Sequence, residues 1–269
     1  MVWSAPQVTP EEPKSVRPIR EAPDFEPSRL GRLKLTIADR IENASDPGRG
    51  QIKSRERVRD LAEVYTHKRE VDAMLDLVPD MFPSEADPGN IDRTFLEPAC
   101  GSGNFLEEIL RRKLAFVTTQ RYGRGERYEH RVLRCLASIY AVDISGDNVL
   151  EARDRMRARI NSHLDLDMNT KAVSAAFVSA VEVILHTNVI CADTLADAAT
   201  IQLVEYRPGP GPTFSREWSF LDPAANEDDL FSLLIARRDE RPVHYSRLID
   251  HPGPVSANAD TAGRGDEDQ

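Results

Sequence analysis

Apolar and polar positions follow two alternating periods along most of the chain. Helical spacing of apolar residues occurs in four blocks, at 57–78, 104–116, 148–160 and 172–185. Short apolar runs typical of buried strands occur at 94–96, 138–142 and 188–192. Because strand blocks and helical blocks alternate, the pattern predicts an α/β fold whose parallel sheet is connected by right-handed crossovers.

The pattern changes after residue 193. Two strand-like runs, 201–206 and 213–220, flank a Pro-Gly-Pro-Gly-Pro segment at 208–212, which neither a helix nor a strand ladder accommodates. We therefore expect the two runs to pair as a hairpin, followed by a helix over 227–238.

The two ends of the chain are polar. We therefore predict four segments. These are an N-terminal arm largely without its own core (1–50), a main domain (51–206), a C-terminal extension (207–250) and a disordered acidic tail (251–269).

Composition limits the classes of protein that fit. The chain has 269 residues, of which 40% are hydrophobic and 30% charged, so it can bury one sizeable core plus appendages. Its apolar runs are too short to span a bilayer, and its first residues lack the basic and apolar regions of a signal peptide. Three cysteines without a CxxC spacing fit a reducing compartment, so we expect a cytoplasmic protein without a membrane partner.

Charge and histidine spacing bear on the possible ligands. The net charge is −10, whereas proteins that grip DNA unaided are usually basic. A nucleic-acid role therefore needs a local basic face or a partner subunit. The six histidines show no metal-ligand spacing, so no metal site is expected.

The most informative segment is 94–106, Thr-Phe-Leu-Glu-Pro-Ala-Cys-Gly-Ser-Gly-Asn-Phe-Leu. A predicted strand ends here and a helix begins, and Gly101 and Gly103 allow a tight turn that a ligand can approach closely. A nicotinamide fingerprint would need a third glycine at Leu106, and a P-loop would need Gly-Lys-Ser/Thr; neither is present. A cofactor without phosphates therefore fits better.

Acidic residues follow the ends of all three predicted strands, at Glu97, Asp143 and Asp193. A carboxylate at Asp143 can accept both hydrogens of a ribose diol, and one at Asp193 can accept an adenine amino group. The alternative is that Asp143 and Asp193 only cap helices or turns.

The segment 95–105 resembles the first motif of the N6-adenine DNA methyltransferases, especially the modification subunits of restriction-modification systems. The resemblance covers roughly 57–195 and implies a doubly wound, mostly parallel class I methyltransferase fold that binds S-adenosyl-L-methionine. An upstream motif, in which His67 replaces the usual proline, would assign Tyr65 and Thr66 to the methionine end of the cofactor. The other cofactor contacts implied are Glu97, Pro98, Ala99, Cys100, Gly101, Gly103, Asn104, Phe105, Asp143, Ile144, Asp193 and Thr194.

The family's catalytic motif, Asn/Asp-Pro-Pro-Tyr/Phe, is not found, because the chain contains no Pro-Pro dipeptide. The nearest imitation is Leu221-Asp222-Pro223-Ala224, in which Asp222 is interpreted as a turn residue. No catalytic residue is therefore assigned.

Three functions remain open. The first is a DNA adenine methyltransferase, which would act on DNA with a separate specificity or target-recognition subunit and also with a nuclease subunit. The second is a non-catalytic accessory subunit that binds the cofactor, and the third is a methyltransferase with another acceptor.

Two arginine-rich segments could bind a ligand or could simply be exposed to solvent. Arginines between 111 and 134, with Tyr122 and Tyr128 among them, permit phosphate contact, although a solvated face is the simpler reading. Alternating arginines at 153–159, with Glu151 and Asp154, predict an exposed salt-bridged helix face. Cys100 is predicted to be a packing residue.

Overall fold

The computed structural model describes residues 66–168, 173–222 and 237–256. The predicted arm 1–50, Tyr65, most of the predicted helix 227–238 and residues 257–269 lie outside these ranges. Among the described helices, none combines the length and apolar character needed to cross a membrane.

The described part of the chain alternates helices with short strands. The helices are α1 (Lys68–Leu75), α2 (Asn104–Leu114), α3 (Thr119–Tyr122), α4 (Glu126–Ala137), α5 (Gly146–Met168) and α6 (Ala175–Asn188), with 3₁₀ turns at Pro79–Met81 and Tyr245–Arg247. The strands are β1 (Phe95–Glu97), β2 (Ile139–Asp143), β3 (Val189–Cys191), β4 (Gln202–Pro208), β5 (Thr213–Phe220), β6 (Arg237–Arg238) and β7 (Val243–His244).

The first three strands form a parallel sheet in the order β1-β2-β3, which confirms the predicted α/β architecture. Every residue of β2 is buried, as expected for the central strand of a parallel sheet covered on both faces. The register aligns Glu97 with Ala141 and Asp143 with Cys191. The carboxyl ends of β1, β2 and β3 therefore meet at one edge of the sheet.

The reversal of strand order that defines a doubly wound sheet is not present in the described residues. The order follows the sequence without a switch, and β1 lies at an edge. The next strand, β4, belongs to a second, antiparallel sheet with β5, β6 and β7. The predicted domain boundary between residues 206 and 207 consequently falls inside β4.

The predicted hairpin is confirmed, because β4 and β5 pair antiparallel from Gln202 opposite Phe220 to Pro208 opposite Phe214. The expectation that no ladder accommodates 208–212 is wrong for Pro208, which is the last residue of β4. Two other C-terminal expectations are wrong. Residues 237–238 form strand β6 beside β5 rather than the end of a helix. The predicted start of the disordered tail, residue 251, is too early. Val255 is buried, and its carbonyl accepts a hydrogen bond from the Glu240 amide.

The helix boundaries are set by the residues that cap each helix and by how far its buried apolar positions continue. Helix α1 has His67 at its N-cap, and the His67 side chain accepts no capping hydrogen bond. Helix α6 begins at the Ser174 cap, whose hydroxyl accepts a hydrogen bond from the Phe177 amide at 3.0 Å. Helix α5 extends beyond the predicted 148–160 to residue 168, and Leu164 continues its buried stripe.

A buried histidine links α4 to the second sheet. His130 contacts the Phe214 ring edge-on, with 4.6 Å between the ring centroids. Burial lowers the pKa of His130 to about 4, and the neighbouring Arg134 guanidinium contributes further.

Acidification is expected to destabilise the protein through His130. Below pH 6.5 the unfolded chain binds a proton at this residue, whereas the folded protein does so only near pH 4. Stability should therefore fall by about 3 kcal/mol as the pH drops through that window. Urea unfolding at several pH values would measure this, with His130→Phe as the comparison. Parallel pH profiles for the two proteins would contradict the assignment.

Candidate functional site

The loop between β1 and α2, residues 98–103, is held against the end of β2. The Cys100 amide donates a hydrogen bond to the Val142 carbonyl at 3.0 Å, and the Gly101 amide donates to Asp143 Oδ2 at 2.7 Å. The Gly103 amide closes the turn by donating to the Cys100 carbonyl at 3.0 Å. The loop is therefore fixed by backbone contacts at the carboxyl edge of the sheet.

The two glycines of this loop have different surroundings. Gly101 has φ +52°, and a Cβ added there would meet no heavy atom within 4 Å. Gly103 has φ +86°, and its added Cβ would lie 2.9 Å from the Ala152 Cβ on α5. Gly103 thus serves close helix packing, whereas Gly101 faces open space from which a ligand can approach the main chain.

Asp143 is buried and anchors the loop. Its Oδ2 accepts the Gly101 amide, and its Oδ1 accepts the Ser145 amide at 2.9 Å and the Asn148 side-chain amide at 3.1 Å. A carboxylate offers about four acceptor positions, and three are used here. Asp143 is therefore a positioning residue for the loop, with about one acceptor position left rather than the two that a ribose diol would use.

The loop after β3 is tied to the glycine loop. The Thr194 hydroxyl donates to the Pro98 carbonyl at 2.7 Å. Asp193 Oδ1 accepts the backbone amides of Leu195 and Ala196, at 2.9 and 3.1 Å, as in a capped turn. Among the described residues, Asp193 Oδ2 accepts no hydrogen bond, so this oxygen is available to a ligand.

The titratable groups of the glycine loop are partly buried. Burial raises the pKa of Glu97, which accepts a hydrogen bond from the Ala99 amide at 3.3 Å. Burial, together with the Asp143 and Glu97 carboxylates, raises the pKa of Cys100 to about 12. A thiol with that pKa is not a nucleophile at neutral pH, so Cys100 acts as a packing residue.

Asn104, the first residue of α2, is occupied by structural contacts. Its side-chain amide donates to the Thr66 carbonyl at 3.1 Å, and its oxygen accepts a hydrogen bond from Arg155. Phe105, next along α2, packs against the core. The structure therefore places Thr66 beside the glycine loop through Asn104, while Tyr65 lies outside the described residues.

The arginines of α5 form one of the salt bridges that their alternation predicted, between Arg157 and Asp154, but they also contact other elements and are not a simple exposed face. Arg153 donates to the Val189 carbonyl at the start of β3, and Arg155 donates to the Ser102 carbonyl at 3.2 Å. Arg157 forms a bidentate pair with Glu182 on α6, and Arg159 pairs with Glu107 on α2. Spacing within one helix gave no sign of these contacts, because each partner belongs to another element.

Apolar side chains are exposed at the same edge of the sheet. Ile144, directly after Asp143, and Leu195, directly after Thr194, are 56% and 96% exposed. Exposed apolar side chains beside polar ligand groups are typical of sites that accept flat, partly apolar ligands.

The outer edge of β1 is open. The Phe95 amide donates to the Ser138 carbonyl, so Phe95 and Glu97 direct their backbone groups to β2 and Leu96 directs its own outwards. Leu96 is 46% exposed, and no strand pairs with it in the described part of the chain. An unpaired strand edge of this kind is available for a further strand.

Asp222 lies near the loop after β3. Its amide donates to the Ala198 carbonyl at 3.1 Å, and the Leu221 amide donates to the Ile201 carbonyl at 2.9 Å. The segment 221–224, which partly resembles the catalytic motif, therefore begins beside the loop that carries Asp193 and Thr194. Its last two residues, Pro223 and Ala224, lie outside the described residues.

No metal site accompanies these groups. Across residues 66–168, 173–222 and 237–256, no three His, Cys, Asp or Glu side chains are placed together to hold a metal ion.

Comparison with known proteins gave no match among protein-family models, curated proteins or solved structures. A functional assignment consequently rests on the chemistry and geometry of the loop itself.

Proposed function

We propose that the glycine loop binds S-adenosyl-L-methionine and that the domain is of the class I methyltransferase type. The observation that carries this proposal is the open position at Gly101, on a loop fixed at the carboxyl ends of three parallel strands. Ligands of open α/β sheets bind at this edge.

The charges at this edge support a cofactor without phosphates. Glu97 and Asp143 end two adjacent strands and Asp193 follows the third, and three carboxylates would repel a pyrophosphate. S-adenosyl-L-methionine carries a sulfonium and an ammonium group, which favour a negative site. Its adenosine also supplies hydroxyl and amino donors for carboxylate acceptors.

The free oxygen of Asp193 and the exposed Ile144 and Leu195 side chains support one orientation of the cofactor. In it, the adenine amino group donates to Asp193 Oδ2, and the apolar side chains cover the ring. Asp143 holds the Gly101 amide in place, and its remaining acceptor position contacts one ribose hydroxyl. Thr66, linked to the loop through Asn104, lies toward the methionine end.

The proposed reaction is transfer of the cofactor's methyl group to the N6 amino group of adenine in DNA. The amino nitrogen would displace the sulfur directly and lose a proton, so catalysis depends on positioning and on acceptors for the amino hydrogens. The sequence supplies no Pro-Pro motif for that task, so a separate target-recognition subunit is part of the proposal. A nuclease subunit would complete a restriction-modification system.

A non-catalytic role is the second candidate. The unpaired edge of β1 and the missing motif favour an accessory subunit that binds the cofactor and docks to another polypeptide. A methyltransferase with a different acceptor fits the same cofactor site.

Gly101→Ala is expected to weaken S-adenosyl-L-methionine binding by at least about tenfold, because the added methyl group would occupy the space from which the ligand approaches. Isothermal titration calorimetry would measure the affinity. Gly211→Ala is the matched control, since Gly211 also has a positive φ of +65° and open space around it, but lies in the β4–β5 turn. Absence of wild-type binding, or equal binding by all three proteins, would refute the cofactor site.

Transfer of a labelled methyl group to mixed-sequence DNA separates the two candidate functions. Activity of the isolated chain would support the methyltransferase and exclude the accessory role. Cofactor binding without transfer, in the isolated chain and with candidate partner subunits, would favour the accessory role.

A further inference from the structure

A cluster of arginines surrounds one tyrosine on α3, α4 and the turn between them. We call it the arginine surface, and its members are Arg121, Tyr122, Arg124, Arg127 and Arg131. Arg121, Arg124 and Arg127 are exposed, and Arg131 is half-buried. On α4, Arg127 and Arg131 are four residues apart and therefore lie on one face of the helix.

Most of the charge on this surface is not neutralised. Among the described residues, Arg124, Arg127 and Arg131 have no carboxylate within 4.0 Å, and Arg121 approaches only the exposed Glu85, at 3.7 Å. Arginines elsewhere in the fold behave differently: Arg112, Arg134, Arg157 and Arg216 each pair with an acid. In a chain of net charge −10, this is a local concentration of unpaired positive charge.

Tyr122 brings two of these charges together. The guanidinium carbons of Arg131 and Arg127 lie 4.9 and 6.0 Å from the centre of the Tyr122 ring. Burial lowers the pKa of Arg131, and the neighbouring Arg134 and Arg127 lower it further. An anionic partner would relieve the repulsion of Arg131 by Arg134 and Arg127.

We propose that the arginine surface binds the phosphate backbone of a nucleic acid. A guanidinium fork matches the geometry of phosphate oxygens, and several forks along one helix face suit a polymer with regularly repeated charges. Gly123 and Gly125 lie between the arginines with open space around them, so a backbone can approach closely. An acidic protein segment is the competing partner, but its carboxylates have no comparable regular spacing.

The Arg131 end of the arginine surface lies at the opposite edge of the sheet from the glycine loop. Arg134, which continues the face of Arg127 and Arg131, pairs with Asp92, just before β1 begins. Helix α4 ends at Ala137, just before β2 begins, so this end of the surface adjoins the amino ends of the strands. The glycine loop follows the carboxyl end of β1. The proposal therefore does not depend on methyl transfer, and a protein without transferase activity would retain it.

Fluorescence anisotropy with a labelled mixed-sequence duplex tests the proposal. Between about 50 and 200 mM salt, each phosphate contact contributes a slope of about −0.9 to log K against log salt. Replacing both Arg127 and Arg131 with Gln is expected to weaken binding at least about tenfold and to reduce the slope by about two. The double Lys replacement keeps both charges and should restore most of the slope.

Arg207→Gln is the matched control, because Arg207 is an exposed arginine on β4 that is paired with Glu205 at 2.7 Å. It should bind the duplex as the wild type does. Unfolding curves would show whether the double Gln variant is folded. A folded double variant with wild-type affinity and slope would overturn the proposal, as would a wild type without duplex binding at low salt.

Poly-glutamate competition and cofactor calorimetry separate the remaining explanations. Displacement of the duplex by poly-glutamate at equal charge concentration would favour an acidic protein partner and overturn the nucleic-acid assignment. S-adenosyl-L-methionine binding should be unchanged in the double Gln variant. Loss of duplex binding with intact cofactor binding would thus locate the effect at the arginine surface. If the wild type binds no cofactor, the unfolding curves and the double Lys variant still locate the effect.

Discussion

Gly103→Ala is expected to destabilise the protein by about 2 to 5 kcal/mol. A non-glycine residue in the left-handed region costs about 1 to 2 kcal/mol. The new Cβ would also lie 2.9 Å from the Ala152 Cβ and 3.0 Å from its Cα. The second atom is backbone, so α2 and α5 must separate, and such overpacking costs about 1 to 3 kcal/mol more.

Urea unfolding of Gly103→Ala and Gly101→Ala would measure the difference between the two glycines. Gly101→Ala carries the backbone cost without a clash, so it should lose only about 1 to 2 kcal/mol. Equal losses for the two variants would show that α5 does not pack against the loop as described. A larger loss at Gly101 would show that its surroundings are not open.

The position of the loop could be predicted from the sequence because its signals are local. The strand before it, the two glycines and the helix after it are consecutive residues, and the structure places β1 only one residue later than predicted. The hairpin was predictable for the same reason, since a Pro-Gly run between two strand-like runs favours a turn that lets them pair.

The roles of individual side chains could not be predicted, because their partners are distant in sequence. The sequence predicts a ribose contact for Asp143, but it gives no sign that Asp143 also accepts the amide of Gly101, 42 residues away. The sequence predicts the same role for Gly103 and Gly101, but in the structure only Gly103 packs against Ala152 on α5. The sequence predicts that Arg155 belongs to an exposed helix face, but its guanidinium donates hydrogen bonds to the Ser102 carbonyl and the Asn104 side chain.

The sheet to which the run at 201–206 belongs could not be predicted for a related reason. A strand's own residues show that it is buried or half-buried, but not which sheet contains it. The run was assigned to the main domain, whereas β4 lies with β5 in the second sheet, and β1 remains at an edge of the first. That edge adjoins the glycine loop, so a strand added there by another polypeptide would also border the proposed cofactor site.

A buried ion pair holds the second sheet together. Arg216 on β5 and Asp239 after β6 have side chains that are 1% and 0% exposed, and they are joined by two hydrogen bonds of 2.9 and 3.0 Å. Asp239 also accepts the Val255 amide, and Arg216 donates to the His251 and Gly253 carbonyls. The pair thus fixes the C-terminal segment against the hairpin.

Asp239→Asn is expected to cost about 3 to 5 kcal/mol of unfolding free energy, because it leaves the Arg216 charge buried without its counter-ion. Urea unfolding would measure the loss. The double variant Arg216→Met/Asp239→Leu removes both charges, so it should be more stable than Asp239→Asn even though two residues have changed. Surface pairs contribute at most about 1 kcal/mol, so a loss that small for Asp239→Asn would mean that water reaches the pair. The pair would then contribute little to fixing residues 251–256 against the hairpin, and the backbone hydrogen bonds of β4 and β5 would hold the sheet.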